Sequence, residues 1–485
     1  MLKMETLEHD ILTRRDEKFL WKPFFRQVFV CSGAWASDFV FGLSFGAPAV
    51  LIPQVRQEAN STAAISEDMA SWLSSASGVS GIFWVLVLPY IATMYGRRIS
   101  FLIVTLNSII GNIVFYCSST VLQIIVAEAM LGAARSCINT VSPMIVAEYT
   151  SPQYRGLFLT IEAVCVFWGI WVANATGTFS HWKNIGIIGI VFSVYTSTAL
   201  FWPESPHWLA AKGRVEKCTS AYRWLHSSSN KSKAELEFLI AGNKVENSGN
   251  VITESNKNNL AVKRLVSKAV SVAKDRQFYG PLMINLILLL FMVFSGKMIN
   301  TMYALVVLKK ITSSTSAAYS GMLILDGLTI FSAYVGCALT KVIKSKKFFL
   351  VSSFISILFM FMISLHLYLI KFSVIAESDI VSLILLSCYS VSFSCGPLIL
   401  GQSIGFEVAS FRFKSSIFLI AALSAEIIVT IILKISPLLF KTLGMHGMFL
   451  MYGLTSLFFW GLLFKVVPET KDKSLQEIEE EFKNN

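Results

Sequence analysis

The sequence predicts an all-α membrane protein with twelve transmembrane helices in two pseudo-symmetric six-helix bundles. Hydrophobic residues make up 54% of the 485 residues and charged residues only 15%, and the mean hydropathy is +0.62. Soluble globular chains carry about 25% charged residues, so a water-soluble enzyme is nearly excluded. Uncharged runs such as 69–95 and 99–127 exceed the roughly 20 apolar residues that a bilayer-spanning helix needs.

The apolar runs predict twelve spans, six on either side of a long polar segment. We predict them at 27–51, 70–95, 99–118, 121–146, 156–178, 184–203, 279–307, 316–340, 347–370, 379–405, 415–438 and 444–467. The predicted organisation is a cytoplasmic N-terminal segment at 1–26, a first bundle at 27–203, a cytoplasmic linker at 204–278, a second bundle at 279–467 and a cytoplasmic tail at 468–485. Helical periodicity in pieces such as KAELEFLIAG predicts short amphipathic helices in the linker, lying on the membrane face.

The distribution of basic residues predicts the orientation of the chain. Most Lys and Arg lie in the two terminal segments, in the linker and in the loops after spans 2, 4, 8 and 10. Because basic loops stay on the cytoplasmic side, we expect both termini and the linker there. The net charge of +11 then reflects membrane topology, and no nucleic-acid partner is expected. Asn60 begins a glycosylation triplet in a predicted outer loop, which fits this orientation and a place in the plasma membrane.

The cysteine pattern predicts no cofactor. Seven of the eight cysteines lie in or at the edges of apolar runs, where a thiol acts as a small hydrophobe, and Cys218 is in the basic linker. No cluster of Cys and His has the spacing of a zinc site. We therefore expect neither a disulfide framework nor a metal.

Three pairs of charged motifs recur at equivalent points of the two halves. The loop after span 2 reads YGRR, and the loop after span 8 reads KSKK. Span 4 is followed by Glu148 and Arg155-Gly156, and span 10 by Glu407 and Lys414-Ser415. Span 6 ends in PESP and span 12 in PETK. These coordinated signals predict an internal repeat of the kind found in membrane transporters.

The longest of these motifs resemble those of one known family. PESPHWL at 203–209, PMIVAEYTSPQYRG at 143–156 and PETKDKSLQEI at 468–478 are similar to motifs of the sugar porter family of the major facilitator superfamily. Within it, the chain looks most like the insect facilitated trehalose transporters. The resemblance implies the major facilitator fold, with a central cavity that opens alternately to each side. It also implies a transporter of trehalose or a hexose rather than an enzyme, most simply a monomer in the bilayer.

Charged residues at the cytoplasmic helix ends are candidates for gating. Acid–base pairs there can hold the cytoplasmic side shut, and exposed pairs are weak enough, at about 0–1 kcal/mol each, to be broken. The alternative is that the basic members are ordinary topology signals. Our candidates are Arg97, Arg98, Glu148, Arg155 and Glu204 in the first half, and Lys346, Lys347, Glu407, Lys414, Glu469 and Lys473 in the second half.

The amides and aromatic residues that bind sugar in this family are mostly replaced in the central spans. The helix 5 position that often holds Gln is Ala163, and the helix 7 run reads MVFSGKM at 292–298. Ionisable groups lie within the spans instead, and they are costly there unless they face a cavity or a partner. The cavity candidates are therefore Glu162, Lys297, Asn300, Tyr303, Gln402 and Glu426.

These charges leave the cargo open. A pair of Lys297 with Glu162 or Glu426 could bind a charged or zwitterionic solute, or the charges could simply neutralise each other. Proton-linked members of the family carry an Asp shortly after Phe-Gly in helix 1, but Phe45-Gly46 is followed here by Ala47-Pro48. This favours facilitated diffusion, with proton coupling through Glu162 as an alternative. A transporter-like sensor that carries nothing is a third hypothesis.

Overall fold

A computed structural model of the chain shows twelve helices long and apolar enough to cross a membrane. It describes residues 21–59, 65–226, 232–233, 235–237, 239–241, 276–312, 314–340, 342–376, 378–409 and 413–469. Spans 1 to 12 are Trp21–Glu58, Glu67–Met94, Arg97–Cys117, Val121–Tyr149, Gln153–Phe179, Asn184–Phe201, Gln277–Met302, Thr315–Thr340, Ser345–Lys371, Asp379–Val408, Ser415–Thr442 and Gly444–Val466. No strand occurs within these ranges. The predicted all-α fold with twelve spans is confirmed.

Span 1 is helical from the first described residue, Trp21, six residues before the start that the apolar pattern predicts. The ring of Phe24 packs edge-on against Tyr154, with centroids 5.1 Å apart, and also contacts Phe158 of span 5. Aromatic pairs of this geometry stabilise beyond the area they bury. The aromatic cluster thus extends the helix back to Trp21.

Spans 4 and 10 are broken at matching places. Span 4 consists of Val121–Asn139 and Val141–Tyr149, and Pro143 follows the break. Span 10 breaks at Gly396, directly before Pro397. Proline lacks the N–H that would continue the helical ladder, and its ring clashes with the preceding turn. The matching breaks agree with the internal repeat in the sequence.

Span 7 is broken at a glycine. Its first helix is Arg276–Phe294, and Gly296 then takes a left-handed φ of +75°. Glycine adopts this conformation without the steric cost of a Cβ. The chain continues as two short helices, Lys297–Met302 and Ala304–Ile311. Lys297 therefore starts a new helix within the membrane-crossing path.

Spans 1–6 form the first half and spans 7–12 the second half. The helices Pro206–Ala211 and Val215–Leu225 lie against the ends of spans 1, 2 and 4, on the side where span 1 begins. We call this the linker side and the opposite side the far side. Gln27 fixes the second of these helices, because its Nε2 donates to Leu225 O at 3.0 Å and to Ser151 Oγ at 2.8 Å.

The two halves meet along three seams. Span 2 packs against span 11, span 5 against span 8, and span 1 against the short helices that follow Gly296. Small residues allow the first seam to close, since a Cβ at Gly78 would collide with the side chain of Thr430. Apolar side chains of both halves join in one core, in which Leu51 and Ile52 share a cluster with Ile299 and Met302.

Candidate functional site

Arg97 and Glu148 form the centre of a charged network on the linker side of the first half. Arg97 Nε donates to Glu148 Oε2 at 2.9 Å, and Arg97 Nη2 donates to Oε1 at 2.8 Å. Both side chains are 15% exposed. Ser205 Oγ donates to the same carboxylate. Such bidentate pairs are the strongest charge-assisted hydrogen bonds, so this contact fixes spans 3 and 4 to the PESP loop.

Glu204 caps the N-terminus of span 3. Its Oε1 accepts from the backbone N–H of Arg97 at 2.9 Å, of Arg98 at 3.3 Å and of Ser205 at 2.9 Å. A carboxylate at a helix N-terminus satisfies N–H groups that have no partner within the helix. Burial raises the pKa of Glu204, although these N–H groups and the Arg97 charge oppose that shift.

The corresponding charges of the second half make fewer bonds among the described residues. Glu469 Oε1 accepts from Lys346 N at 3.4 Å, and Lys346 and Lys347 border an apolar groove of about 420 Å³ beside Trp460. Glu407 Oε1 accepts from Ser403 Oγ at 3.0 Å. The side chain of Lys414 and all of Lys473 lie outside the described residues.

None of these gating candidates is bonded across the halves within the described ranges. Arg98 donates to Leu200 O, and Arg155 Nη2 to Thr150 O at 3.4 Å, both in the first half. The ion pairs that join two described residues across the halves lie instead at mid-depth and toward the far side. The gating role of these charges stays a prediction.

One bond across the halves is a buried ion pair between spans 4 and 11. Arg135 Nε lies 2.5 Å from Glu426 Oε2, and the two side chains are only 6% and 2% exposed. Asn139 Nδ2, one turn further along span 4, donates to Glu426 Oε1 at 3.3 Å. Asn139 itself is exposed. In the described part of the chain, the Glu426 carboxylate is therefore bound by two side chains of the first half.

A second ion pair joins the halves near the far side. Lys434 Nζ of span 11 lies 2.7 Å from Asp68 Oδ1 and donates to Ser71 Oγ at 2.9 Å. It also lies 4.0 Å from the ring centroid of Trp72. Asp68, Ser71 and Trp72 occupy one face of the first turns of span 2, because residues three and four apart are neighbours on a helix.

The seam between spans 5 and 8 carries further polar bonds across the halves. Asn174 Nδ2 donates to Asp326 Oδ2 at 2.6 Å, and both residues are buried. Trp171 Nε1 donates to Leu323 O at 3.2 Å. The sequence gives no sign of which of these residues face each other, because the contacting positions are 152 residues apart.

Lys297 does not pair with Glu162 or Glu426, so that hypothesis is wrong. Its Nζ donates to Thr329 Oγ1 and to Ser390 Oγ, both at 2.7 Å. The break at Gly296 turns the Lys297 side chain into the second half, toward spans 8 and 10. Glu426 is occupied by Arg135 instead.

The other cavity candidates do not converge on one point. Glu162 is buried in the first half, where its Oε1 has no hydrogen-bond partner among the described residues. Tyr303 donates to Leu433 O at 3.2 Å within the second half. Asn300 is half-buried and Gln402 is exposed. Sequence reasoning missed Asn139 and Trp171, and no sequence signal distinguishes them from other polar or aromatic residues of the spans.

Comparison with known proteins identifies the family. The profile described as sugar (and other) transporter matches residues 30–482. The chain belongs to the sugar (and other) transporter family. This is a family of transporters, so the resemblance to sugar porters and the expectation that the chain is not an enzyme are both confirmed. The chain is a multi-pass membrane protein of this family.

Two curated relatives align with this chain at low sequence identity. The facilitated trehalose transporter Tret1 of Apis mellifera ligustica is 21% identical over 448 residues, which cover 91% of this chain and 85% of the relative. The arabinose-proton symporter of Escherichia coli K12 is 25% identical over 258 residues, which cover 52% of this chain and 53% of the symporter.

Solved structures share the fold. The proton:xylose symporter XylE bound to 6-bromo-6-deoxy-D-glucose superposes with a TM-score of 0.72 at 16% identity, covering 94% of this chain and 99% of the symporter. The inward open xylose transporter XylE from E. coli superposes with a TM-score of 0.71 at 14% identity, with the same coverage. At this identity the likeness supports the major facilitator fold and nothing finer.

Proposed function

We propose that the protein carries a sugar of the trehalose or hexose class across the membrane by facilitated diffusion and alternating access. The observation that carries this proposal is the family match over nearly the whole chain. A relative named as a facilitated trehalose transporter supports the substrate class. The absence of an acidic residue after Phe45-Gly46 in span 1 supports uniport over proton symport.

In this proposal the linker side is cytoplasmic. The charged network of Arg97, Glu148 and Glu204 then lies at the cytoplasmic ends of the first half, where most basic residues of the sequence also lie. The far side, with the Lys434–Asp68 pair, faces outward. We place the protein in the plasma membrane as a monomer, with Asn60 as the glycosylation candidate outside the described residues.

Uptake of labelled trehalose and hexoses in oocytes that express the full chain tests the proposal. We expect saturable uptake above that of water-injected cells. The Glu148→Ala variant serves as a control, because it removes the acceptor of Arg97 and should reduce uptake at equal surface expression. A thermal-shift screen of the purified protein narrows the substrate, since a bound sugar stabilises the folded form by mass action. No uptake of any sugar would contradict the proposal.

A further inference from the structure

Span 11 carries both ion pairs that join described residues of the two halves, at two different depths. Lys434 lies eight residues before the helix ends at Thr442, or about 12 Å from its far-side end. Glu426 lies sixteen residues before that end, or about 24 Å into a helix about 42 Å long. Its partner Arg135 is likewise near the middle of span 4, whereas Asp68 is the second residue of span 2. The Arg135–Glu426 pair is thus central, and the Lys434–Asp68 pair is peripheral.

The two pairs also differ in how much water reaches them. Arg135 and Glu426 are almost fully buried, at 6% and 2% exposure, so separating them would leave two ions without solvent inside the membrane. Lys434 and Asp68 are 30% and 76% exposed, so water can replace each partner at small cost. A transport cycle can break the peripheral pair in every turnover. Breaking the central pair would add a large free-energy barrier to every turnover.

The backbone around the central pair is packed too closely to slide freely. A Cβ at Gly81 of span 2 would lie 3.1 Å from Glu426 Oε2 and 3.3 Å from Ser136 Oγ. Three residues earlier, Gly78 leaves room for Thr430 of span 11. Spans 2, 4 and 11 therefore touch at mid-depth. If the two halves rock against each other, they move least at the depth where these spans touch.

We propose that the Arg135–Glu426 pair is the pivot of alternating access, closed throughout the cycle, and that the Lys434–Asp68 pair is a gate that opens on the far side. The inference rests on the proposed transport function and names positioning residues for it. Asn139 supports the pivot by holding the second oxygen of Glu426. Trp72 and Ser71 support the gate by holding Lys434 when it is closed.

Covalent cross-linking separates a pivot from a gate. The full chain, with its native cysteines replaced, receives either Arg135→Cys with Glu426→Cys or Asp68→Cys with Lys434→Cys. A short bifunctional methanethiosulfonate then ties each pair, and sugar flux is measured in proteoliposomes before and after reduction. The pivot keeps these two positions in contact in both conformations, so we expect the central link to change flux by no more than about twofold relative to the same variant without the link.

The peripheral link is the matched control. We expect it to lower flux at least about tenfold, because the conformation open to the far side becomes unreachable, and reduction should restore it. A central link that stops flux reversibly would overturn the pivot. A peripheral link that leaves flux unchanged would overturn the gate.

Distances measured between spin labels keep the inference testable if the cargo is not a sugar. Labels at the exposed residues Ser119 and Thr442 report the far side, and labels at Met94 and Val342 report the linker side. We expect two distance populations for each pair of labels. The central link should preserve both populations, and the peripheral link should leave only the one closed on the far side. Two populations without flux of any sugar would contradict the proposed function alone, whereas their loss under the central link would contradict the pivot.

Discussion

Gly96 and Glu204 are in such close contact that only glycine fits at position 96. A Cβ there would collide with the Glu204 carboxylate, and the backbone φ of +114° is one that L side chains rarely adopt. The contact brings the carboxylate to the N–H groups at the start of span 3. The Gly of the YGRR motif is thus explained by geometry.

Replacement of Gly96 by Ala should therefore destabilise the linker side of the first half. We expect a loss of about 1–3 kcal/mol, from backbone strain and from displacement of Glu204. The melting temperature of the purified protein in detergent checks this. Gly156→Ala is the matched control, because a Cβ at Gly156 meets nothing within 4 Å. Equal melting temperatures for the two variants would contradict the assignment.

Glu148→Gln should weaken the same network without changing its shape. The amide keeps the volume but loses the charge that Arg97 and Ser205 bind. A loss of about 1–3 kcal/mol is expected for a hydrogen-bonded, largely buried charge. Glu58→Gln is the control, because the Glu58–His181 pair is about half exposed and worth about 0–1 kcal/mol. If Glu148→Gln is as stable as Glu58→Gln, the network contributes nothing to the stability of the folded protein.

Docking of the helix Val215–Leu225 should depend on pH through His226. Burial lowers the pKa of His226 to about 4, and the charges of Arg155 and His207 act in the same direction, whereas Glu235 opposes them. This pKa is below the ordinary value of 6.5. Between about pH 4 and about pH 6.5, His226 therefore binds more protons in the undocked state than in the docked state. Docking is strongest above about pH 6.5 and weakens as pH falls toward about 4.

Hydrogen exchange of this helix at about pH 7 and about pH 5, corrected for the intrinsic rate, measures the effect. We expect weaker protection at the lower pH. The His226→Gln variant should show a smaller change, because its side chain does not titrate. Identical pH dependence in the two proteins would remove His226 from this role.

Lys297→Met distinguishes a sugar from a charged cargo. In the structure Lys297 is buried against Thr329 and Ser390 within the second half. If sugar is the cargo, its hydroxyl groups need no positive charge in the site, so Lys297→Met should change the KM for sugar by less than about threefold. Flux is measured in proteoliposomes with equal amounts of each protein. Complete loss of transport in a folded variant would favour a charged cargo.

Much of the fold could be predicted because membrane insertion leaves a strong signal in the sequence. Each span is a long apolar run, and the charged motifs after spans 2, 4 and 6 are local in sequence. They also predicted the charges that the structure brings together in the first half. The break of span 7 at Gly296 was not predicted, since a left-handed residue inside an apolar run leaves no pattern of its own.

The bonds between the halves could not be predicted. Arg135 and Glu426 are 291 residues apart, and the sequence does not tell which buried charge faces which. Lys297 was assigned to the wrong partners for this reason. A buried ammonium needs oxygen atoms around it, and two hydroxyl groups from spans 8 and 10 accept its hydrogen bonds, while the nearby Asp326 carboxylate supplies the opposite charge.

The most direct test of the account is bidirectional flux of labelled trehalose and hexoses through vesicles that hold the purified protein, with and without a proton ionophore. We expect saturable flux of at least one sugar, in both directions, that the ionophore leaves unchanged. No flux of any sugar, or flux that disappears when the proton gradient is collapsed, would contradict facilitated sugar transport.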